Sequence, residues 1–293
     1  MALLAQPLRL AYRHEVFPAA LRWWLAGSVM RDWMRVVARG LRAELDRARS
    51  RAVTAEVAAG MFRRRLEALR DADPAWPSDE RALALTMYAL YHLWDAPKAR
   101  WILDGAGGGP RSLAEHGRAL SLLRRLDAEA RWREVTVHLG EFLIVFTETV
   151  PERIPRTRQL LAKTCFELGV TYAERTCALF GIDPRSERPE RAIEVLRMSE
   201  YLFRVNPEHE SGADDATDTG YIVGNACPWF DRPGWRPGHC GIFGQFQNGV
   251  SSVFGLKYRL TQTIPRHGGD VCRIDLSPIP LRTKPGRSPA AGT

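Results

Sequence analysis

The chain has 293 residues, which is enough for one or two domains with a sizeable hydrophobic core. Hydrophobic residues make up 45% of it and charged residues 26%, the proportions of an ordinary globular protein, which excludes bulk disorder. The net charge is +8, but only four of the 42 cations are lysines, so the arginine-rich usage is typical of a GC-rich bacterial genome and is weak evidence for a nucleic-acid partner. No apolar run reaches the roughly 18 residues of a membrane span.

The N-terminal segment 1–18 does not have the pattern of an export signal. Its apolar run is about five residues long, shorter than the 7–15 that such signals need, and no small-residue cleavage site follows it. The chain also contains five cysteines, an odd number. We therefore expect reduced thiols, no disulfide framework and a cytoplasmic location.

Residues 1–203 are predicted to be mostly helical, because apolar residues recur at intervals of three and four. Ser112 with Glu115 three residues later predicts a capping box at a helix start. The stretch 135–150 suits a strand by composition and a buried helix by length, and we favour the helix. Two helices are predicted over 30–45 and 53–69, and a third begins at Pro77-Ser78 and runs to Trp94. Further helices are predicted after Ser112, Pro155 and Pro189.

The pattern changes after residue 206. A polar, acidic loop is predicted over 208–220, a short strand over 221–223, a loop rich in Pro, Gly and Trp over 227–238, a helix over 239–254, and two strands over 256–264 and 271–276 joined by a hairpin turn. We therefore predict an α+β fold, with a helical N-terminal two-thirds packed on a small C-terminal antiparallel sheet with one helix. The predicted regions are 1–203 (helical), 204–276 (the α+β ligand or catalytic region) and 277–293 (a disordered tail).

Cys240 is the most informative single residue. It follows Pro237-Gly238-His239 at the start of a predicted helix, where unpaired backbone N–H groups and the positive end of the helix dipole favour a thiolate. Both effects lower a thiol pKa that starts near about 8.5, so the position predicts a nucleophilic cysteine. The alternative is a cysteine buried as a small hydrophobic residue.

Two other cysteines lie in the same C-terminal third. Cys272 shares a predicted strand face with Ile274, so strand alternation points it inward. Cys227 and Cys272 would complete a Cys₃His zinc site with Cys240 and His239, but their intervals contain no C-x₂-C pair. We therefore expect no metal site and no cofactor, with zinc as the alternative.

His267 stands three residues before Asp270 in the predicted hairpin turn. A histidine and a carboxylate at that spacing would present an acid/base pair at the rim of a pocket. A solvated turn histidine is the alternative.

The C-terminal segment also resembles a known signature. Cys227-Pro228 follows a predicted strand, Cys240 opens a helix, Thr261-Gln262-Thr263 lies in a strand, and Gly269-Asp270-Val271-Cys272 closes the segment. This arrangement resembles the C-terminal signature of the L-2-amino-thiazoline-4-carboxylate hydrolase-like family, although Ile274 stands where an aromatic residue is commoner. It is also similar to 4-vinyl-reductase-like small-ligand-binding domains, which usually carry a cysteine near the Thr263 position. The resemblance covers residues 220–276.

The resemblance implies a buried small-molecule pocket, walled in part by the helical region, and an activity that opens a cyclic C–N bond. We expect a hydrolase acting on a small cyclic amide, amidine or thiazoline-like substrate, with Cys240 attacking and His239 or His267 moving protons. Backbone N–H groups after Cys240 would stabilise the developing negative charge. The predicted substrate-binding residues are Arg259, Thr261 and Thr263 on one strand face, with Asn248, Cys227 and Cys272.

Two alternatives from other classes stay open. One is a small-molecule-binding or sensor domain without chemistry, and the other is a zinc-stabilised interaction domain. As partners we expect a small-molecule substrate, no nucleic acid and no membrane, and the sequence leaves a homodimer open.

Overall fold

The computed structural model describes residues 2–76, 79–91 and 109–279. The helices are α1 (Ala2–Arg13), α2 (Ala19–Glu44), α3 (Arg47–Ala72), α4 (Glu80–Leu90), α5 (Leu113–Arg124), α6 (Ala128–Thr149), α7 (Thr157–Phe180), α8 (Arg188–Phe203), α9 (Pro237–Val253) and α10 (Ile264–His267). The strands are β1 (His209–Asp214), β2 (Thr219–Gly224), β3 (Leu256–Gln262) and β4 (Cys272–Pro278). Helices dominate the N-terminal part and the small antiparallel sheet is C-terminal, which confirms the α+β prediction.

Short polar side chains begin several of these helices. Asp46, Asp79 and Asp127 each accept a hydrogen bond from the backbone N–H three residues later, which satisfies one of the unpaired N–H groups of the first turn. Half of the predicted capping box is confirmed, since the Ser112 hydroxyl accepts from the N–H of Glu115 over 3.2 Å, whereas the Glu115 carboxylate accepts the N–H of Arg111 rather than that of Ser112. The predicted helix start at 77–78 lies outside the described residues, as do Trp94 and the tail from 280 onward.

The ambiguous stretch 135–150 belongs to a helix, α6, as predicted. Every residue from Val135 to Phe146 is buried. A helix covered on all sides shows no polar face, which explains why its sequence lacks a clear helical period.

Helices α7 and α9 cross with their backbones in contact. A Cβ atom added to Gly169 of α7 would lie 2.0 Å from the carbonyl oxygen of Phe246, and one added to Gly249 of α9 would lie 2.2 Å from that of Phe166. Two glycines therefore permit a crossing that no larger residue would allow. This crossing fixes the position of α9, whose first turn carries Cys240.

The sheet has the order β1-β2-β4-β3, and all of its pairs are antiparallel. The prediction missed β1 and assigned its residues to the acidic loop over 208–220. β1 is an edge strand whose residues are almost all exposed, so it lacks the apolar alternation by which a strand is recognised. A register shift in β3, between Leu260 and Gln262, inserts one residue opposite β4.

One hydrophobic core joins the helical region to the sheet. It includes Trp33 and Phe142 from the helices, Ile222 and Ile274 from the sheet, and Trp229 from the loop before α9. Within the described ranges, none of the helices has the length and hydropathy needed to cross a membrane.

Candidate functional site

Cys227, Cys240 and Cys272 converge on one cavity of about 60 Å³ between α9 and the sheet. They reach it from a loop, a helix and a strand, and all three side chains are half-buried. We call this space the cysteine cavity. Its other lining residues are Val205, Asn206, Trp229, Trp235, Phe243, Gln247, Tyr258, Leu260, Thr263 and Ile274.

Cys240 lies in the first turn of α9, as the sequence predicts. Its sulfur accepts a hydrogen bond from Nε1 of Trp235 over 3.4 Å. Burial raises the pKa of the Cys240 thiol, while the Trp235 N–H and the cysteine's own backbone amide oppose that rise. The expectation of a lowered pKa is therefore wrong for the unliganded protein, because loss of hydration outweighs the helix terminus.

The other two thiols are also held neutral. Burial raises the pKa of Cys227 to about 12, and it raises the pKa of Cys272, whose sulfur accepts the backbone N–H of Ile264 over 3.4 Å. Cys272 shares the inward face of β4 with Ile274, as predicted. In the part of the chain that the structure describes, no group of three or more His, Cys, Asp or Glu side chains has the arrangement of a metal site.

His239 is buried beside Cys240 in sequence but does not line the cavity. Its Nδ1 accepts the backbone N–H of Arg236 over 2.9 Å, which caps α9, and its Nε2 lies 2.8 Å from the hydroxyl of Thr147. Burial, together with nearby Arg158 and Arg236, lowers the pKa of His239 to about 4. The geometry gives this histidine a capping role, and the structure does not bring it to the thiols.

His267 and Asn248 also lie outside the cavity lining. His267 is exposed in α10, and its Nδ1 accepts the backbone N–H of Thr263 over 3.0 Å. Asn248 connects α9 to β3, because its Oδ1 accepts the N–H of Tyr258 over 3.4 Å. Both residues therefore stabilise elements that line the cavity, although their own side chains do not line it.

Arg259, Thr261 and Thr263 do not share one strand face, so this part of the prediction is wrong. Arg259 and Thr261 are exposed, and the Thr261 hydroxyl donates to Asp275 over 2.7 Å. The register shift after Leu260 changes the alternation of β3, and Thr263 consequently points inward. Of the three, Thr263 is the one that lines the cavity.

The hydroxyl of Thr263 has no hydrogen-bond partner among the described residues. Thr263 is only 5% exposed, and its Oγ1 is buried. An unpaired buried hydroxyl costs about 1–3 kcal/mol, so such a group facing a cavity indicates a position where a ligand or water supplies the partner.

A polar network closes one side of the cavity. Tyr258 donates its hydroxyl proton to Oε1 of Gln247, and Gln247 donates to the buried carboxylate of Glu200 over 3.2 Å. Asn206 donates to the same carboxylate over 3.1 Å, and Arg197 pairs with it over 2.6 Å. Burial raises the pKa of Glu200, and the pairing with Arg197 opposes that rise.

Aromatic rings form another side of the cavity. Trp229 is 1% exposed, and its Nε1 donates to the carbonyl oxygen of Thr136 in α6 over 2.7 Å. Its ring centroid lies 4.8 Å from that of Phe243 and 5.7 Å from that of Trp235. Gly140 makes room for this indole, since a Cβ atom there would lie 2.5 Å from Cδ1 of Trp229.

A second pocket, of about 610 Å³, adjoins the cysteine cavity. Val205 and Cys227 belong to the walls of both. We call it the arginine pocket because the described part of its lining contains four arginines and two carboxylates. Its charged residues are Arg22, Arg197, Arg204 and Arg232 with Glu15 and Asp231, and Trp132 and Tyr201 add aromatic surface.

Sequence reasoning missed the arginine pocket and the polar network. The arginines are distant in sequence, and nothing in their spacing brings them together. The concentration of tryptophan between 227 and 238 was a usable signal, since aromatic residues in a loop after a cysteine suggest a ligand wall.

Comparison with protein-family models, with curated protein sequences and with solved structures finds no match to this chain.

Proposed function

We propose that the protein binds a small organic molecule across the two pockets and opens a C–N bond in it with Cys240. The observation that supports this proposal best is the convergence of Cys227, Cys240 and Cys272 on one cavity with the unpaired hydroxyl of Thr263. The cysteine cavity alone has room for a few water-sized groups, whereas the adjoining pocket has the size of typical ligand sites.

A neutral thiol needs a proton acceptor. Neither His239 nor His267 lines the cysteine cavity, and the described residues that line it include no carboxylate. We therefore assign that role to the substrate itself, which fits a cyclic amidine or thiazoline because its ring nitrogen is basic. In this proposal the substrate accepts the thiol proton, in place of His239 or His267, to which the sequence analysis assigned proton transfer.

The reaction then needs no further cofactor. The S–H of Cys240 adds across the C=N bond: a C–S bond forms, and the thiol proton passes to the ring nitrogen. The ring C–N bond then breaks: its electron pair stays on that nitrogen, which takes a second proton from the other nitrogen of the amidine group, and the lone pair of that other nitrogen forms a new C=N bond to the carbon. Water then adds to the carbon, and the sulfur leaves and regains a proton from it.

The experiment is turnover of a panel containing 2-amino-thiazoline-4-carboxylate, L-pyroglutamate and a cyclic amidine, measured by mass spectrometry. Cys240→Ser should reduce turnover at least about 100-fold. Cys227→Ser and Cys272→Ser are the matched controls, because they change the same cavity without removing the attacking sulfur, and they should lose no more than about ten-fold. Turnover by Cys240→Ser within a few-fold of wild type contradicts the proposal.

A second candidate function is binding without chemistry. The raised pKa of all three cavity thiols favours it, since none of them is ionised in the unliganded protein at neutral pH. This candidate predicts a dose-dependent rise in melting temperature with a panel compound that is not consumed, in wild type and Cys240→Ser alike.

We also propose the cytoplasm as the location. All five cysteines are unpaired thiols, and a reducing compartment keeps them so.

A further inference from the structure

We infer that the arginine pocket binds an oxyanion group, a carboxylate or a phosphate, of the molecule whose reactive part enters the cysteine cavity. The inference deepens the proposed function and rests on it only for the statement that one molecule occupies both pockets. It assigns the anion contact to Arg204 and to neighbouring arginine N–H groups, in place of the exposed Arg259.

Among the four arginines of the described pocket wall, Arg204 is the one without a paired carboxylate, and Glu129 acts on its charge only at longer range. Its guanidinium has no hydrogen bond or ion pair within the residues that the structure describes, although it is half-buried in the pocket wall. The other three arginines differ in this respect. Arg22 pairs with Glu129 over 3.3 Å, Arg197 with Glu15 over 2.8 Å, and Arg232 with Glu141 over 2.9 Å.

Two of these cations lie on one aromatic ring. The guanidinium carbon of Arg22 is 3.8 Å from the ring centroid of Trp132, and that of Arg204 is 5.6 Å from it. Stacking on the indole orients a guanidinium while leaving its N–H donors at the ring edge for a planar acceptor such as a carboxylate.

Unused donors are also present in the same wall. Nε of Arg22 and Nε of Arg197 are buried and have no hydrogen-bond partner among the described residues. Burial lowers the pKa of Arg204, and the nearby positive charges of Arg133 and Arg22 lower it further, while the carboxylate of Glu129 opposes them. A bound oxyanion would relieve this repulsion and accept hydrogen bonds from the guanidinium of Arg204.

Acidic groups of the lining do not provide this compensation. Glu15 is already paired with Arg197. Asp231 lines the pocket but forms no ion pair with any described residue, so it does not neutralise Arg204. An arriving anion therefore meets the unpaired guanidinium of Arg204, three arginines that are already paired with carboxylates, and the exposed carboxylate of Asp231.

The test measures melting temperature in the presence of phosphate, benzoate, L-pyroglutamate and 2-pyrrolidinone, each at an ionic strength matched with NaCl. The last two share a ring and differ in the carboxylate. We expect at least one anion to stabilise wild type in a dose-dependent way and 2-pyrrolidinone to have little effect. Which of phosphate and the carboxylates acts more strongly identifies the oxyanion.

Two variants make the test specific. Arg204→Gln should weaken the apparent affinity about ten-fold or more, the effect of losing one charge-assisted pair. Arg133→Gln is the matched control: this arginine is exposed, contributes to the same local potential and does not line the pocket, so it should respond like wild type.

The inference is overturned if no anion stabilises wild type beyond NaCl, if 2-pyrrolidinone acts as strongly as L-pyroglutamate, or if Arg204→Gln responds like wild type. These results do not depend on catalysis. If anions bind but Cys240→Ser leaves turnover unaffected, the anion site stands and the role of Cys240 as nucleophile is rejected. If turnover depends on Cys240 but no anion binds, the nucleophile stands and the anion site is rejected.

Discussion

Nε1 of Trp235 lies 3.4 Å from the sulfur of Cys240 and donates a hydrogen bond to it. Trp235 lies just before α9, and Cys240 lies five residues later in the first turn of that helix. The local chain therefore brings the indole N–H to the thiol. An N–H donor stabilises the thiolate more than the thiol, and it therefore limits the rise in pKa that burial causes.

Replacing Trp235 by Phe should raise the pKa of Cys240 further. The measurement is the rate of iodoacetamide labelling of Cys240 against pH, followed by peptide mass spectrometry. We expect the midpoint of the wild-type profile to lie above that of an unfolded cysteine, near about 8.5, and the midpoint of Trp235→Phe to lie higher still. The midpoint is compared rather than the labelling rate, because the smaller phenyl ring also changes the access of iodoacetamide to the thiol.

The control is the same profile recorded in denaturant, where both proteins should give one common midpoint. A Trp235→Phe midpoint at or below that of wild type would show that the indole N–H does not act on this sulfur.

Replacing Thr263 by Val should separate ligand binding from stability. The hydroxyl has no partner in the unliganded protein, so its removal should leave the free energy of unfolding unchanged or raise it by up to about 1 kcal/mol. A ligand that uses this hydroxyl should bind about ten-fold more weakly. Denaturant unfolding and thermal shift with the stabilising panel compound measure the two effects.

Thr261→Val is the comparison, since that residue is two positions away but exposed on the opposite face. Its ligand response should stay at the wild-type level. A Thr263→Val protein that is destabilised by several kcal/mol, or that binds like wild type, would contradict this role.

Much of the C-terminal architecture follows from local sequence. The apolar spacing before Gly255 predicts α9, and alternation in β4 places Cys272 inward, because both signals depend on a regular period. The edge strand β1 and the register shift in β3 leave no such signal. The shift decides that Thr263 rather than Thr261 faces the cavity.

The candidate site itself depends on tertiary packing. Position in the first turn of a helix predicts an acidic thiol at Cys240, but the burial that reverses this effect comes from a distant loop and strand. Likewise, Trp132 brings Arg22 and Arg204 together although 182 positions separate the two arginines in sequence.

Replacing Gly169 or Gly249 by Ala should destabilise the protein strongly. Each added methyl group would collide with a backbone carbonyl of the opposite helix, at 2.0 and 2.2 Å, and a backbone cannot move aside as a flexible side chain can. We expect a loss of at least about 1–3 kcal/mol, measured by denaturant unfolding.

Gly241→Ala provides the matched substitution within α9. A Cβ atom there meets nothing within 4 Å, so this change should be neutral or stabilise the helix by about 0.5–1 kcal/mol. Equal stabilities for Gly241→Ala and Gly249→Ala would refute the close crossing of α7 and α9.

His239 should make stability depend on pH. Its pKa is about 4 in the folded protein and about 6.5 when unfolded, so between these values the unfolded chain binds more protons. The stabilising contribution of neutral His239 is therefore complete above about pH 6.5 and is lost as pH falls through about 4. Melting temperatures across this window should fall less for His239→Asn, which keeps an acceptor for the N–H of Arg236 but does not titrate.

His138 and Glu200 also have shifted pKa values, but they titrate in both proteins, so the difference between the two curves reports His239. Parallel curves for wild type and His239→Asn would rule out a buried neutral histidine at this position.

The most direct test of the central claim is to trap the substrate on the enzyme. Wild type and Cys240→Ala would be mixed with a turned-over panel compound, quenched in acid within milliseconds and analysed by intact-protein and peptide mass spectrometry. We predict a transient mass increase on the wild-type peptide that contains Cys240, and no adduct on the variant. An adduct confined to Cys227 or Cys272, or turnover without any adduct and undiminished in Cys240→Ala, would contradict the account.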